Sequence, residues 1–196
     1  MKAPRSNRSI NFNAMIRNTG NKEGYVPFER INEEVYAVRW GLQPVVAPEV
    51  VKDKTTRRLV SVGEPKETGK YSWMTHYMYG KPTMTQIRGL VLDWYNRQVD
   101  NKILDGFEWK GMPVWLSSEN QFNYKAAYDL AVQTGGSNLP VTFKFGTTED
   151  PLYHTFDSIE DLSGFYIGAM SYINARLNEG WKAKDAIDWS VYETAL

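Results

Sequence analysis

Two histidines, His76 and His154, are the only imidazoles in the chain, and each stands in an aromatic, alternating stretch without a second histidine or a spaced carboxylate beside it. A lone histidine in such a setting serves packing more often than proton transfer or metal ligation. Cysteine is absent, which removes disulfides, thiolate nucleophiles and thiolate zinc sites. Adjacent carboxylates occur at Glu33–Glu34, Glu149–Asp150 and Glu160–Asp161, where turns and helix starts account for them. A glycosidase would need two carboxyls meeting across a cleft, and nothing in their spacing points to one. There is no Gly-x-Ser-x-Gly elbow and no phosphate-cradling glycine pattern; Gly135–Gly136 closes a helix instead of opening one, the wrong end for an anion. The expectation is a protein that is not an enzyme, with no catalytic residues, no cofactor, no metal and no small-molecule substrate.

What the chain does carry is unevenly placed charge. The net charge is zero, but residues 1–82 hold 14 Lys/Arg against 8 Asp/Glu and residues 83–196 hold 9 against 15, a balance of +6 and −6. A positive front and a negative rear suit head-to-tail self-association or an acidic partner. Lys2, Arg5, Arg8, Arg17 and Lys22 all precede the first acid, and Ile10, Phe12, Ala14 and Ile16 alternate with polar residues. That stretch reads as an extended arm, residues 1–24, able to add a strand to an edge offered by a neighbouring subunit. The partner-binding candidates are Lys2, Arg5, Arg8, Ile10, Phe12, Arg17, Arg57 and Arg58. With Lys52 and Lys54, the last two could instead contact phosphate, so a nucleic-acid-binding protein is an alternative, although no reading motif accompanies them.

The elements that must position these groups read as α+β. Residues 25–82 are β-rich: VYAVRWGLQP and TTRRLVSV alternate, PEVVKDKTT and GEPKETGK have turn composition, and the prolines at 44 and 48 suit edge strands. A small antiparallel sheet or a long β-arm would both fit. Residues 83–196 form a second domain. A helix starts at Thr83, with Gln86 closing a capping box, and runs to Ile103–Leu104, with Gly89 a candidate for close approach of another backbone. Then a strand–strand–helix order appears twice, as ββα-ββα. FEWKG–MPVWL is followed by a helix that Ser118 begins and Gln121 closes as a second capping box, with Phe122, Ala126 and Leu130 on one side. PVTFKFG and YHTFD are followed by a helix capped at Asp157 or Ser158 and ending at Asn178–Gly180. A separate short helix is expected over WKAKDAIDW.

Aromatics make up 14% of the 196 residues, enough for a ring-rich core and for subunit contacts. No run of 18 apolar residues exists, so no membrane-spanning helix is expected, and the N-terminal stretch lacks the apolar region of a secretory signal.

The stretch FEWKG-MPVWLSSENQFNYKAAYDLAVQTGGSNLPVTFKFG resembles an uncharacterised domain family of tailed-phage and prophage proteins. Phe107, Trp109, Gly111, Ser117, Ser118, Phe143, Phe145 and the helix from Ser158 carry the resemblance, which covers roughly residues 90–189. The N-terminal region is similar to proteins of gut Bacteroidales and their phages. Such domains are often encoded near tail-fibre and baseplate genes and have no established catalytic residues. The resemblance implies a structural or adaptor protein of the virion, in tail, fibre or head. It would be made in the bacterial host cytoplasm and act through homo-oligomeric contacts and contacts with other virion proteins. The alternative it implies is a tail-fibre assembly chaperone absent from the mature particle.

Overall fold

The computed structural model describes residues 14–193. In chain order these form β1 (Ile16–Gly20), a 3-10 turn (Lys22–Gly24), β2 (Phe28–Arg30), β3 (Val35–Lys52), β4 (Leu59–Tyr79), α1 (Met84–Leu104), β5 (Phe107–Trp109), β6 (Met112–Val114), α2 (Ser118–Thr134), β7 (Val141–Gly146), β8 (Pro151–Phe156), α3 (Ile159–Asp185) and α4 (Ser190–Glu193). The fold is α+β with antiparallel sheets and a β-rich N-terminal region.

The chain divides into two compact units, Met1–Val91 with Asp188–Leu196, and Leu92–Ile187. The division falls inside α1, not ahead of it at residue 83. The reason lies in side-chain burial: Ile87 and Val91, from the first half of α1, belong to the first unit and have no solvent exposure. The C-terminal turn also belongs there. Tyr192 is buried and donates its hydroxyl to the Arg39 carbonyl at 2.7 Å, while the Arg88 guanidinium lies 5.2 Å from the Trp189 ring.

The first unit is a four-stranded sheet in the order β1-β4-β3-β2. Residues 16–20 pair with Thr75–Tyr71 of the chain's own β4, so the expected arm is shorter than 24 residues. Its residues from Ile16 to Gly20 are a strand of this sheet, because β4 leaves an edge free next to them. Val35, Ala37, Val38, Trp40 and Trp73 are buried residues of β3 and β4 at this end. Beyond the Pro44–Tyr71 pair, β3 and β4 continue as a two-stranded ribbon in which residues 59–70 are all exposed. The GEPKETGK stretch, turn-like by composition, lies inside β4. Gly63 and Gly69 absorb positive φ there, and the register shifts at Pro44–Val46 and Ala47–Glu49 accommodate the extra residues as bulges. The turn itself is at 53–58.

The second unit realises the ββα-ββα order as two separate hairpins, β5-β6 and β7-β8, each two-stranded. A two-stranded sheet is marginal alone, so both depend on the core they share with α2 and α3. The capping chemistry is largely as the side chains suggest. Thr83 Oγ1 accepts from Gln86 N at 3.3 Å while Gln86 Oε1 accepts from Thr83 N at 2.8 Å, and Ser158 accepts from Asp161 N at 3.2 Å. At α2 the cap is Ser117, which accepts from Asn120 N at 3.2 Å; Gln121 donates to the Leu116 carbonyl at 2.8 Å and closes no box. The face of α2 also differs from expectation. Tyr124 and Ala131 are buried, whereas Phe122 is 71% exposed and Leu130 48%. Tyr124 wins because its ring enters a pocket between Phe143 and Phe165, at centroid distances of 4.7 and 4.9 Å.

α3 does not stop at Asn178–Gly180. It runs to Asp185 and absorbs most of the segment expected as a separate helix. Gly180 lies against α1, where a Cβ would sit 2.3 Å from Val99 Cγ2. The close approach of another backbone expected at Gly89 is not found there, since Gly89 faces open space; Gly180 is crowded by a side chain. Two opposite outcomes follow. Gly89→Ala is expected to stabilise by up to about 1 kcal/mol, through helix propensity alone. Gly180→Ala is expected to destabilise by about 1–3 kcal/mol through overpacking, with partial recovery in the double variant with Val99→Ala. Denaturant midpoints of the wild type and these three variants check both; equal shifts at the two glycines would contradict the packing argument.

Candidate functional site

The basic candidates are not one patch. Lys2, Arg5, Arg8, Ile10 and Phe12 lie outside the described residues. Arg17 is exposed on β1, opposite Met74. Arg57 and Arg58 are exposed at the far end of the ribbon, beyond Leu59. Up to about 50 Å of strand separates Met74 from Leu59 at the usual rise per residue, so Arg17 and the arginine pair do not act together.

The ribbon tip is a built turn. Asp53 N–H donates to the Arg58 carbonyl at 2.8 Å and Arg57 N–H to the Asp53 carbonyl at 3.0 Å. The Asp53 carboxylate accepts from Thr55 N at 2.9 Å, from Thr56 N at 2.5 Å and from the Thr56 hydroxyl at 2.9 Å. Donation from Thr56, backbone and side chain, holds that carboxyl below the ordinary carboxylate range. Arg57 sits at φ 57°, a left-handed conformation that favours Gly or Asn. Lys52, Lys54, Arg57 and Arg58 therefore share a fixed tip against the single acid Asp53. Behind it the ribbon exposes Val46, Val50, Val51, Leu59, Val60 and Val62, Leu59 to 73%. In register, Glu49, Val51, Val60 and Val62 share one face, and Val50, Lys52, Leu59 and Ser61 the other.

In the second unit a cleft of about 420 Å³ lies between the β5-β6 and β7-β8 hairpins, lined among others by Asp105, Trp115, Asn120, Lys144, Thr148 and Glu149. A neighbouring hollow shares Asp105 and Pro113 and adds Glu108. Trp115 is 49% exposed. Its outward direction was legible in MPVWL, since alternation places it opposite the buried Val114.

His154 does have a carboxylate. Its Nε2 lies 3.4 Å from Asp161 Oδ2, and Lys110, at φ 51° in the β5-β6 turn, donates to the same carboxylate at 2.8 and 3.0 Å. The residues are 7 and 51 positions from Asp161 in sequence, so only the fold shows the cluster. It joins hairpin β5-β6 to the start of α3. The Lys110 hydrogen bonds hold the Asp161 carboxyl below its usual value, against partial burial that pushes it up. His76 lies on β4, where burial pushes its imidazole down. Among the described residues, no group of three or more His, Asp or Glu is placed to hold a metal ion, and no helix is long and apolar enough to cross a membrane.

No known protein family, curated protein or solved structure matches the chain.

The Asp161 cluster has a pH signature. A carboxyl depressed in the folded state adds stability above its unfolded pKa, and the gain is lost as pH falls through the folded value. Lys110→Met is expected to cost up to about 1 kcal/mol at neutral pH, since the pair is half exposed. The gap between variant and wild type should close as the solution is acidified below the carboxylate range. Urea unfolding across that range checks it; a gap independent of pH would assign the loss to packing of the lysine stem.

Proposed function

We propose that the protein is a non-enzymatic structural or adaptor subunit of a tailed-phage particle, working through contacts with copies of itself and with other virion proteins. The observation that carries this reading is the ribbon beyond Pro44–Tyr71. A two-stranded hairpin is marginal in water. This one exposes a run of valines and a leucine, and residues 59–70 bury nothing. Such a surface is the kind that a partner covers. The outer faces of α2 and α3 add Phe122, Leu130, Val132, Ile167 and Trp181 as exposed apolar side chains. The tailed-phage setting rests on the sequence resemblance proposed for residues 90–189 alone.

Light scattering tests the reading on the full chain and on a variant in which a two-residue Asn-Gly turn joins Pro44 to Tyr71. The full chain is expected to be an oligomer, the variant a folded monomer by circular dichroism, and only the full chain is expected at stoichiometric amounts in purified particles. A full chain that is monomeric at every concentration and missing from particles would sink the proposal.

A further inference from the structure

We propose that the ribbon tip of one copy seats in the Trp115 cleft of a second copy, making a head-to-tail contact. This inference rests on the subunit reading and names the surfaces it uses. The tip, Lys52–Arg58, carries four bases and one acid, whereas the second unit carries 8 Lys/Arg against 13 Asp/Glu, a balance of −5. At the cleft the charged groups are Asp105, Glu149 and, in the adjoining hollow, Glu108, against Lys144 alone. Opposite charge selects this pairing, and like charge disfavours tip against tip or cleft against cleft.

The cleft also fits the chemistry of arginine. A guanidinium stacks on an indole face and takes carboxylates with its forked donors. A half-exposed Trp115 and the acidic residues Asp105 and Glu149 line one cavity of about 420 Å³. The tip is narrow, a six-residue turn from Asp53 to Arg58 closed by its own backbone hydrogen bonds, and already fixed before docking. Arg57 holds a backbone conformation that a glycine would adopt more readily, which makes sense where the side chain is used. Behind the tip, Val50 and Leu59 lie on one face of the ribbon, ready to be covered at the rim. The two surfaces are different, so the contact is heterologous and builds a ring or a line of copies.

The test uses sedimentation velocity on the full chain, with Arg57→Glu/Arg58→Glu as the tip variant and Asp105→Lys/Glu149→Lys as the cleft variant. The wild type is expected to associate at low salt and to dissociate as salt rises. Each variant should associate roughly tenfold or more weakly. An equimolar mixture of the two should regain association, because an intact tip then meets an intact cleft and the two reversed surfaces also carry opposite charge. Circular dichroism of each variant confirms the fold. If the wild type associates and either variant does so equally well, or the mixture fails to pair, this contact is overturned while the subunit reading stands. If association is unaffected and the tip variant instead loses retention of a DNA or RNA oligonucleotide, the tip serves nucleic acid and the contact is likewise overturned. A wild type that stays monomeric overturns this contact, and its absence from purified particles as well removes the subunit reading.

Discussion

Phe165 holds the second unit together. Its ring lies within 4.9–6.2 Å of six others: Phe107 and Trp109 on β5, Tyr124 on α2, Phe143 and Phe145 on β7, and Phe156 on β8. Every element of the unit except α1 and β6 meets this one fully buried side chain, itself on α3. The constraint is topological. Neither hairpin is wide enough to be stable by itself, and the two do not join into one sheet. Edge-to-face and tilted ring contacts, each worth about 0.5–1.5 kcal/mol beyond area burial, supply the common attachment. Gly164 and Gly168 flank the contact: a Cβ at either position would stand 3.4–3.6 Å from the Trp109 or Phe107 ring. A larger side chain at either place would press on those rings.

Dependence on one shared ring separates what is local in this fold from what is not. Strict alternation in FEWKG and PVTFKFG identifies strands whose aromatics share a face, and in YHTFD it sets exposed Tyr153 opposite buried Phe156. The signals that start or stop three of the helices are local chemistry as well: Thr83 with Gln86, Ser158, and Gly135 at φ 62°. Other features are decided at a distance. Periodicity favours Phe122 for the core of α2 as readily as Tyr124, and the choice belongs to the hole between Phe143 and Phe165. Gly180 has the look of a stop because glycine often is one; its neighbour Val99, 81 positions earlier, needs the space. Likewise His154, Asp161 and Lys110 meet only once both hairpins dock on α3, and the Trp115 cleft exists only between two hairpins far apart in sequence.

The first unit is organised on the opposite principle. Its sheet is widest where β1 and β2 flank β3 and β4, and narrows to two strands that bury no side chain along residues 59–70. Open strand edges invite indiscriminate pairing. Here Pro44, Pro48 and Pro65, the bulges, and positive-φ glycines at 63 and 69 interrupt both edges. A ribbon so interrupted is poorly suited to adding strands along its length. Its faces and its tip remain for contact, and those are where valines and basic groups are found.

Exposed ion pairs contribute little on their own, commonly under about 1 kcal/mol. In the proposed contact the charge at the tip would therefore serve mainly to choose the partner and its register, with most of the affinity coming from the apolar side chains behind it. Rigidity matters for the same reason. A loop that had to be ordered on docking would lose part of that limited gain to lost freedom. Asp53 removes that cost beforehand: one carboxylate takes three donors from Thr55 and Thr56 and fixes the turn while it is still exposed. The single acid of a basic tip is thus the residue that shapes it, with one carboxylate oxygen turned to the turn's own N–H and O–H groups.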